Sequence, residues 1–134
     1  MHPIRKLREA GNATTEQFAS LLDENVIMHS PLLIKAIIGR DAVAVTMAAS
    51  SRNRDNPGAY VLERKLDERT TFLRWQGTIE GHEFESLELL TDGPDGKLSE
   101  RTVAYRPFPA LKIFREKQRA SVGDSVPADS WDYV

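Results

Sequence analysis

The sequence predicts an α+β domain in which N-terminal helices sit in the hollow of a curved antiparallel sheet. Three observations predict it. Helix caps and stop residues recur through residues 1–53. From Tyr60 to Arg106 the apolar residues recur with period two instead. Turn signals separate the alternating runs, at Asn56-Pro57-Gly58, Glu80-Gly81 and Thr91-Asp92-Gly93-Pro94-Asp95-Gly96. With 134 residues, 40% of them hydrophobic and 28% charged, the chain can bury one modest core.

Taken in order, Pro3–Ala10 reads as a short helix, with Pro3 in its first turn and Gly11-Asn12 as its stop. Thr14 and Gln17 have the spacing of a capping box, and Phe18, Leu21 and Leu22 fall on one face of the helix that follows. Asn25–Ser30 is a short strand, extended up to Pro31. Gly39-Arg40-Asp41 opens a helix over residues 41–53, with Val43 and Met47 on one face, and Arg52 and Arg54 near its C-terminal dipole. In the alternating half, Tyr60, Leu62, Arg64 and Leu66 share a face. Leu73, Trp75, Gly77 and Ile79 share the next, followed by Phe84, Ser86, Glu88 and Leu90. Glu83, Glu85, Leu87 and Leu89 lie opposite that last set, and Leu98–Arg106 is the final strand. Ala110–Lys117 returns to helical spacing. The domain is expected over residues 1–119, with 120–134 as a tail whose Trp131 and Tyr133 suit docking rather than solvent.

Composition excludes several function classes. Eighteen basic against twenty acidic residues give a formal charge of −2, without the basic excess of a nucleic-acid binder. There is no cysteine, hence no disulfide, thiolate metal site or cysteine nucleophile. His2, His29 and His82 are scattered, so no metal is expected. The chain has no P-loop, dinucleotide fingerprint or G-x-S-x-G, so no cofactor is expected. Apolar runs such as Pro31–Ile34 are too short for a bilayer, and no apolar run follows Arg5, Lys6 and Arg8. A cytoplasmic protein without membrane or nucleic-acid partners is the expectation.

Three stretches carry a family resemblance. They are Leu21–Pro31 followed by Gly39-Arg40-Asp41-Ala42-Val43, then Glu88–Lys97 with its acidic strand and hairpin, and Val103–Leu111 with its Arg-Pro-x-x-Ala-Leu ending. In order and spacing they resemble the nuclear transport factor 2-like superfamily, in its SnoaL-like and ketosteroid-isomerase-like branch, over residues 12–117. The resemblance implies a cone-shaped pocket between sheet and helices, an extra C-terminal helix, and a homodimer formed through the outer face of the sheet. It also implies a small, largely apolar ligand. Cofactor-free acid–base isomerisation, dehydration, cyclisation or hydrolysis is one activity it suggests. A non-enzymatic carrier, or a dimeric association module with a filled cavity, is the other.

Carried over residue by residue, the isomerase base falls at Ser30, which cannot take a proton near pH 7 without an activating base. His29, next to it, is the nearby group with a suitable pKa, but alternation places the two on opposite faces. Glu88 falls at the acid that serves the oxyanion, in the role of a carboxylic acid held neutral by an apolar site. The expected catalytic set is therefore Glu88, Ser30 and His29, with Trp75, Phe84, Ser86 and Tyr105 lining the pocket. Trp75, with Leu73 and Ile79, reads as core before ligand platform. The isomerase tyrosine falls near Lys6, where the match fails.

Overall fold

The computed structural model describes residues 1–133. In chain order the elements are α1 (Pro3–Ala10), α2 (Thr15–Ala19), β1 (Leu22–His29), β2 (Ile37–Ile38), α3 (Arg40–Arg52), β3 (Ala59–Lys65), β4 (Thr70–Ile79), β5 (His82–Asp92), β6 (Leu98–Arg106) and α4 (Phe108–Val122). Two single-turn 3-10 segments follow, at Gly123–Ser125 and Ala128–Ser130. This is the α+β fold that the change of period predicts, with one six-stranded sheet in the order β2-β1-β6-β5-β4-β3.

Local chemistry accounts for the ends of the elements. Gly11 ends α1 at φ +79°, a left-handed position that glycine takes without strain. Thr14 and Gln17 form the reciprocal capping box of α2, through Thr14 Oγ1 and Gln17 Oε1. That helix is shorter than its pattern suggests. It stops at Ala19, and Leu22 begins β1, so Phe18 and Leu22 reach the core from different elements. Strand β1 pairs in parallel with β6, across a bulge between Leu22 and Ile27. Strand β2 extends the edge beyond it. The β1–β6 pairing is not visible in period alone, because it joins distant parts of the chain, as Leu22 to Leu98.

Strands β3 to β6 are the antiparallel meander. Along β4 and β5 the alternation holds: Leu73, Trp75, Ile79, Phe84, Ser86, Glu88 and Leu90 point inward and are buried. On β3 it does not. A register shift between Tyr60 and Leu62 breaks the face, so Tyr60 is buried while Leu66, beyond the strand, is 62% exposed. The Trp75 ring explains Gly77 next to it, since a Cβ there would lie 2.4 Å from the indole.

Helix α4 runs past the expected end at Lys117, across the 119/120 boundary, to Val122. Ala110, Phe114, Gln118 and Val122, four apart, form its buried stripe. The segment beyond it docks on the same core. Val126 and Trp131 are buried, the Ile34 amide donates to the Ser130 carbonyl at 2.8 Å, and Arg115 and Arg119 lie 5.5 and 5.2 Å from the Trp131 ring. Burying a side chain of this kind stabilises by about 1.5–3 kcal/mol. Tyr133 is exposed, and Val134 lies outside the described residues.

Candidate functional site

The inner face of the meander carries a buried polar network. Strand register sets Glu88 between Leu73 of β4 and Val103 of β6, with Arg101 two residues before Val103 on the same face. Arg101 donates to Glu88 Oε1 from Nη2 at 2.6 Å and from Nε at 3.1 Å. Glu88 Oε2 accepts from the Tyr60 hydroxyl at 3.0 Å and from Ser86 Oγ at 3.3 Å. The Tyr60 oxygen in turn accepts from Arg8 Nε at 2.8 Å, and Arg8 Nη1 donates to Ser50 Oγ at 3.0 Å. Five elements therefore join one network: β3, β5 and β6 at the Glu88 carboxylate, α1 through Arg8 on Tyr60, and α3 through Ser50 on Arg8.

A third arginine lies beside them. Arg54, two residues past the end of α3, stacks over Trp75 with its guanidinium carbon 4.8 Å from the ring. Its Nη2 donates to the Arg8 carbonyl at 3.3 Å and its Nη1 to the Pro57 carbonyl at 3.2 Å. Its Nε is the one fully buried side-chain polar atom without a partner among the described residues. Aromatic rings close the adjoining wall. Phe84 and Tyr105 stack with centroids 4.6 Å apart, and Phe114 lies 5.4 Å from Phe84.

The electrostatics overturn the role expected of Glu88. Burial pushes its carboxyl up, but the Arg101 and Arg8 guanidiniums and the hydrogen bonds from Arg101 and Tyr60 outweigh that, and its pKa lies below the ordinary carboxylate value. Glu88 is an ionised acceptor, not a neutral donor. The apolar neighbours along β5 suggest a neutral acid; the arginines that ionise it come from α1 and β6, outside that pattern. Burial drives the Tyr60 phenol well above its ordinary value, so it remains a donor. Burial and the charge of Arg8 bring Arg54 down to about 10, still cationic at neutral pH.

The other expected catalytic residues do not join this network. His29 is exposed on the outside of β1, and its Nε2 lies 3.0 Å from Glu100 Oε2. Ser30 lies past the strand end, where its Oγ accepts from the Leu32 amide at 3.2 Å and fixes a turn. Leu22, Val26 and Met28 are the residues of β1 that reach the core, and Met28 Sδ lies 3.8 Å from Arg101 Nη1. Trp75, Phe84 and Ser86 are on the inner face as expected, but they fill it rather than line open space: all three, with Glu88, are at most 2% exposed. Tyr105 is half-buried at the edge of the aromatic wall.

No protein-family model and no curated protein matches the sequence. Solved structures do match. An uncharacterised bacterial protein with a cystatin-like fold, from Silicibacter pomeroyi, superposes at a TM-score of 0.80 with 20% identity, over 90% of this chain and 85% of the other. A steroid delta-isomerase from Pseudomonas aeruginosa gives 0.78 with 18% identity, over 86% and 82%. An NTF2-like protein of unknown function from Cytophaga hutchinsonii gives 0.58 with 14% identity, over 81% and 88%. The chain has the nuclear transport factor 2-like fold. Identities this low establish that fold and no activity.

Within the nuclear transport factor 2-like frame, three residues of the network escape sequence reasoning. Arg8 carries one signal, standing four residues after Ile4 on the face of α1 that is buried. Tyr60 is grouped by alternation with residues that the β3 bulge separates from it. Arg54 reads as a cation at a helix end, and nothing in sequence spacing brings it to Trp75.

Proposed function

We propose that this protein is a small-molecule-binding module of the nuclear transport factor 2-like fold that performs no isomerase-type acid–base chemistry. The observation that carries the proposal is the Arg8–Tyr60–Glu88–Arg101 network on the inner face of the sheet. If the interior had only to be filled, apolar residues would serve better. Replacing a buried ion pair by packed hydrophobic side chains is often neutral, or stabilising by about 1–4 kcal/mol. A costly polar network in the hollow of the cone therefore points to recognition. Turnover is disfavoured because Glu88 is ionised with both oxygens engaged, and because neither His29 nor Ser30 faces it.

The network is closed to solvent, so a ligand must enter by displacing part of its cover. Helix α1 is the element best suited to move. Its buried side chains are Ile4 and Arg8, Leu7 packs partly buried on the core, and its further ties to the rest of the chain are polar: His2 to Asp92, and Arg5 to Glu63. The test is amide chemical-shift mapping against a panel of small neutral and charged aromatic compounds. Saturable shifts centred on residues 60, 86, 88, 101 and 105 are expected. Shifts confined to the outer face, or no saturable shift with any compound, would refute the reading.

A second observation favours a homodimer through the outer face. Val61, Leu87 and Leu89 are 51%, 43% and 41% exposed there, with Ala104 opposite Leu87. Leu87→Arg should convert a dimer to monomers by light scattering, and an unchanged dimer would remove this face from the interface.

A further inference from the structure

The buried charges do not balance. Among the described residues the buried charged side chains are Arg8, Arg54, Arg101 and Glu88, three cations against one anion. The chain as a whole is acidic, at −2. Its interior thus carries an excess of two positive charges, opposite in sign to its surface. Glu88 bonds directly to Arg101, through Nη2 and Nε, and acts on Arg8 only across the Tyr60 hydroxyl. The direct partners of Arg8 and Arg54 are neutral: the Tyr60, Ser50 and Ser51 hydroxyls, two backbone carbonyls and the Trp75 ring. The two are near enough for Arg54 to donate to the Arg8 carbonyl at 3.3 Å. Arg54 Nε is left with nothing. Buried cations without a counter-charge are among the most costly groups a protein can keep.

We propose that the missing counter-charge belongs to the ligand: the cone takes a small organic anion, with a carboxylate or phosphoryl head bound between Arg54 and Arg8 and an aromatic body against Phe84 and Tyr105. This rests on the ligand-binding reading above and names the chemical class. Guanidinium forks match both head groups, because each presents paired oxygens to parallel N–H donors. The Arg54 Nε–H supplies a buried donor that has no partner within the chain. Tyr105, half-buried and stacked on Phe84 with Phe114 beside it, offers the body an aromatic surface that opens only when the cover over the network is displaced. Because Arg8 is carried by α1, binding also ties down the helix that must lift to admit the ligand.

The test uses the whole chain and four probes, namely benzoate, phenyl phosphate, inorganic phosphate and benzamide, at constant ionic strength set with sodium chloride. Thermal unfolding and titration calorimetry are read together. Benzoate or phenyl phosphate should raise Tm saturably and bind at least tenfold tighter than benzamide; their order identifies the head group. Saturable binding of inorganic phosphate, with benzoate and phenyl phosphate no tighter, would support the anion site and overturn the aromatic wall. Arg54→Met should weaken benzoate binding tenfold or more, while Arg54→Lys, which keeps the charge, should restore part of it. If Arg54→Met does not fold, the Lys variant and the benzoate–benzamide ratio on the natural chain decide. Benzamide binding as tightly as benzoate would overturn the anion inference and leave the binding reading standing. Equal benzoate affinity with and without the Arg54 guanidinium would also overturn it. No binding by any probe would overturn both.

Discussion

Glu85 and Glu88 stand three residues apart on β5 and face opposite sides of the sheet. Each holds arginines. Glu85, on the outer face, accepts from Arg74 at 2.8 Å and from Arg106 at 2.7 Å, and these bonds bring its pKa down to about 2. Glu88, on the inner face, accepts from Arg101 and Tyr60. The motifs are chemically alike, yet their consequences differ, because solvent sets the worth of a charge. Arg74 and Arg106 are 44% and 69% exposed in their side chains, so water can replace Glu85 as their partner. Nothing can replace Glu88. Without it three guanidiniums would remain buried with no anion among the fully buried side chains.

Four experiments can break or sharpen this contrast. The largest effect belongs to Glu88→Gln, which should cost about 3–5 kcal/mol in urea unfolding, the usual penalty for removing one partner of a buried pair. A loss under about 1 kcal/mol would mean that the inner network is no more demanding than the outer one.

The pH dependence follows with its sign. Glu88 has a folded pKa below its unfolded value of about 4.3, so its stabilisation is fully present above that pH and is lost as pH falls through the folded pKa. The natural chain should therefore lose stability in acid more steeply than Glu88→Gln, and the two curves should converge as pH falls through the folded pKa. Stability lost on raising the pH above about 4.3, in the natural chain alone, would restore the neutral-acid role.

Third comes Glu85→Gln, with a loss of about 1 kcal/mol or less. Sodium chloride at about 1 M should shrink this loss further, because the Debye length there is about 3 Å, while the cost of Glu88→Gln persists. Equal salt sensitivity at the two sites would mean that solvent reaches the inner network. The smallest change in stability belongs to Leu87→Arg on the same outer face, within about 0.5 kcal/mol for the monomer, with its effect confined to the mass measured by light scattering.

The fold was legible where local chemistry decides it. The Thr14–Gln17 box, the Gly11 stop and the period-two runs of β4 and β5 are short-range signals, and each appears where its residues put it. The site was legible only in part. Glu88, Ser86, Phe84 and Trp75 share an inner face because strand parity assigns faces. Parity does not say what faces them. Ser30 and His29 stand at the position the family resemblance singles out, but one fixes a turn and the other meets solvent, because β1 ends at His29 before either can turn inward.

The sequence by itself determined the α+β class, the order of helices and strands apart from β2, and which side chains of β4 and β5 point inward, since capping and alternation act between residues a few positions apart. Only the tertiary structure decided the charge state of Glu88. That depends on Arg8 from α1, Tyr60 from a bulged β3 and Arg101 from β6, which lie 80, 28 and 13 residues away in the chain. Electrostatic energy depends on distance through space and on exclusion of water, and neither quantity is written in sequence spacing.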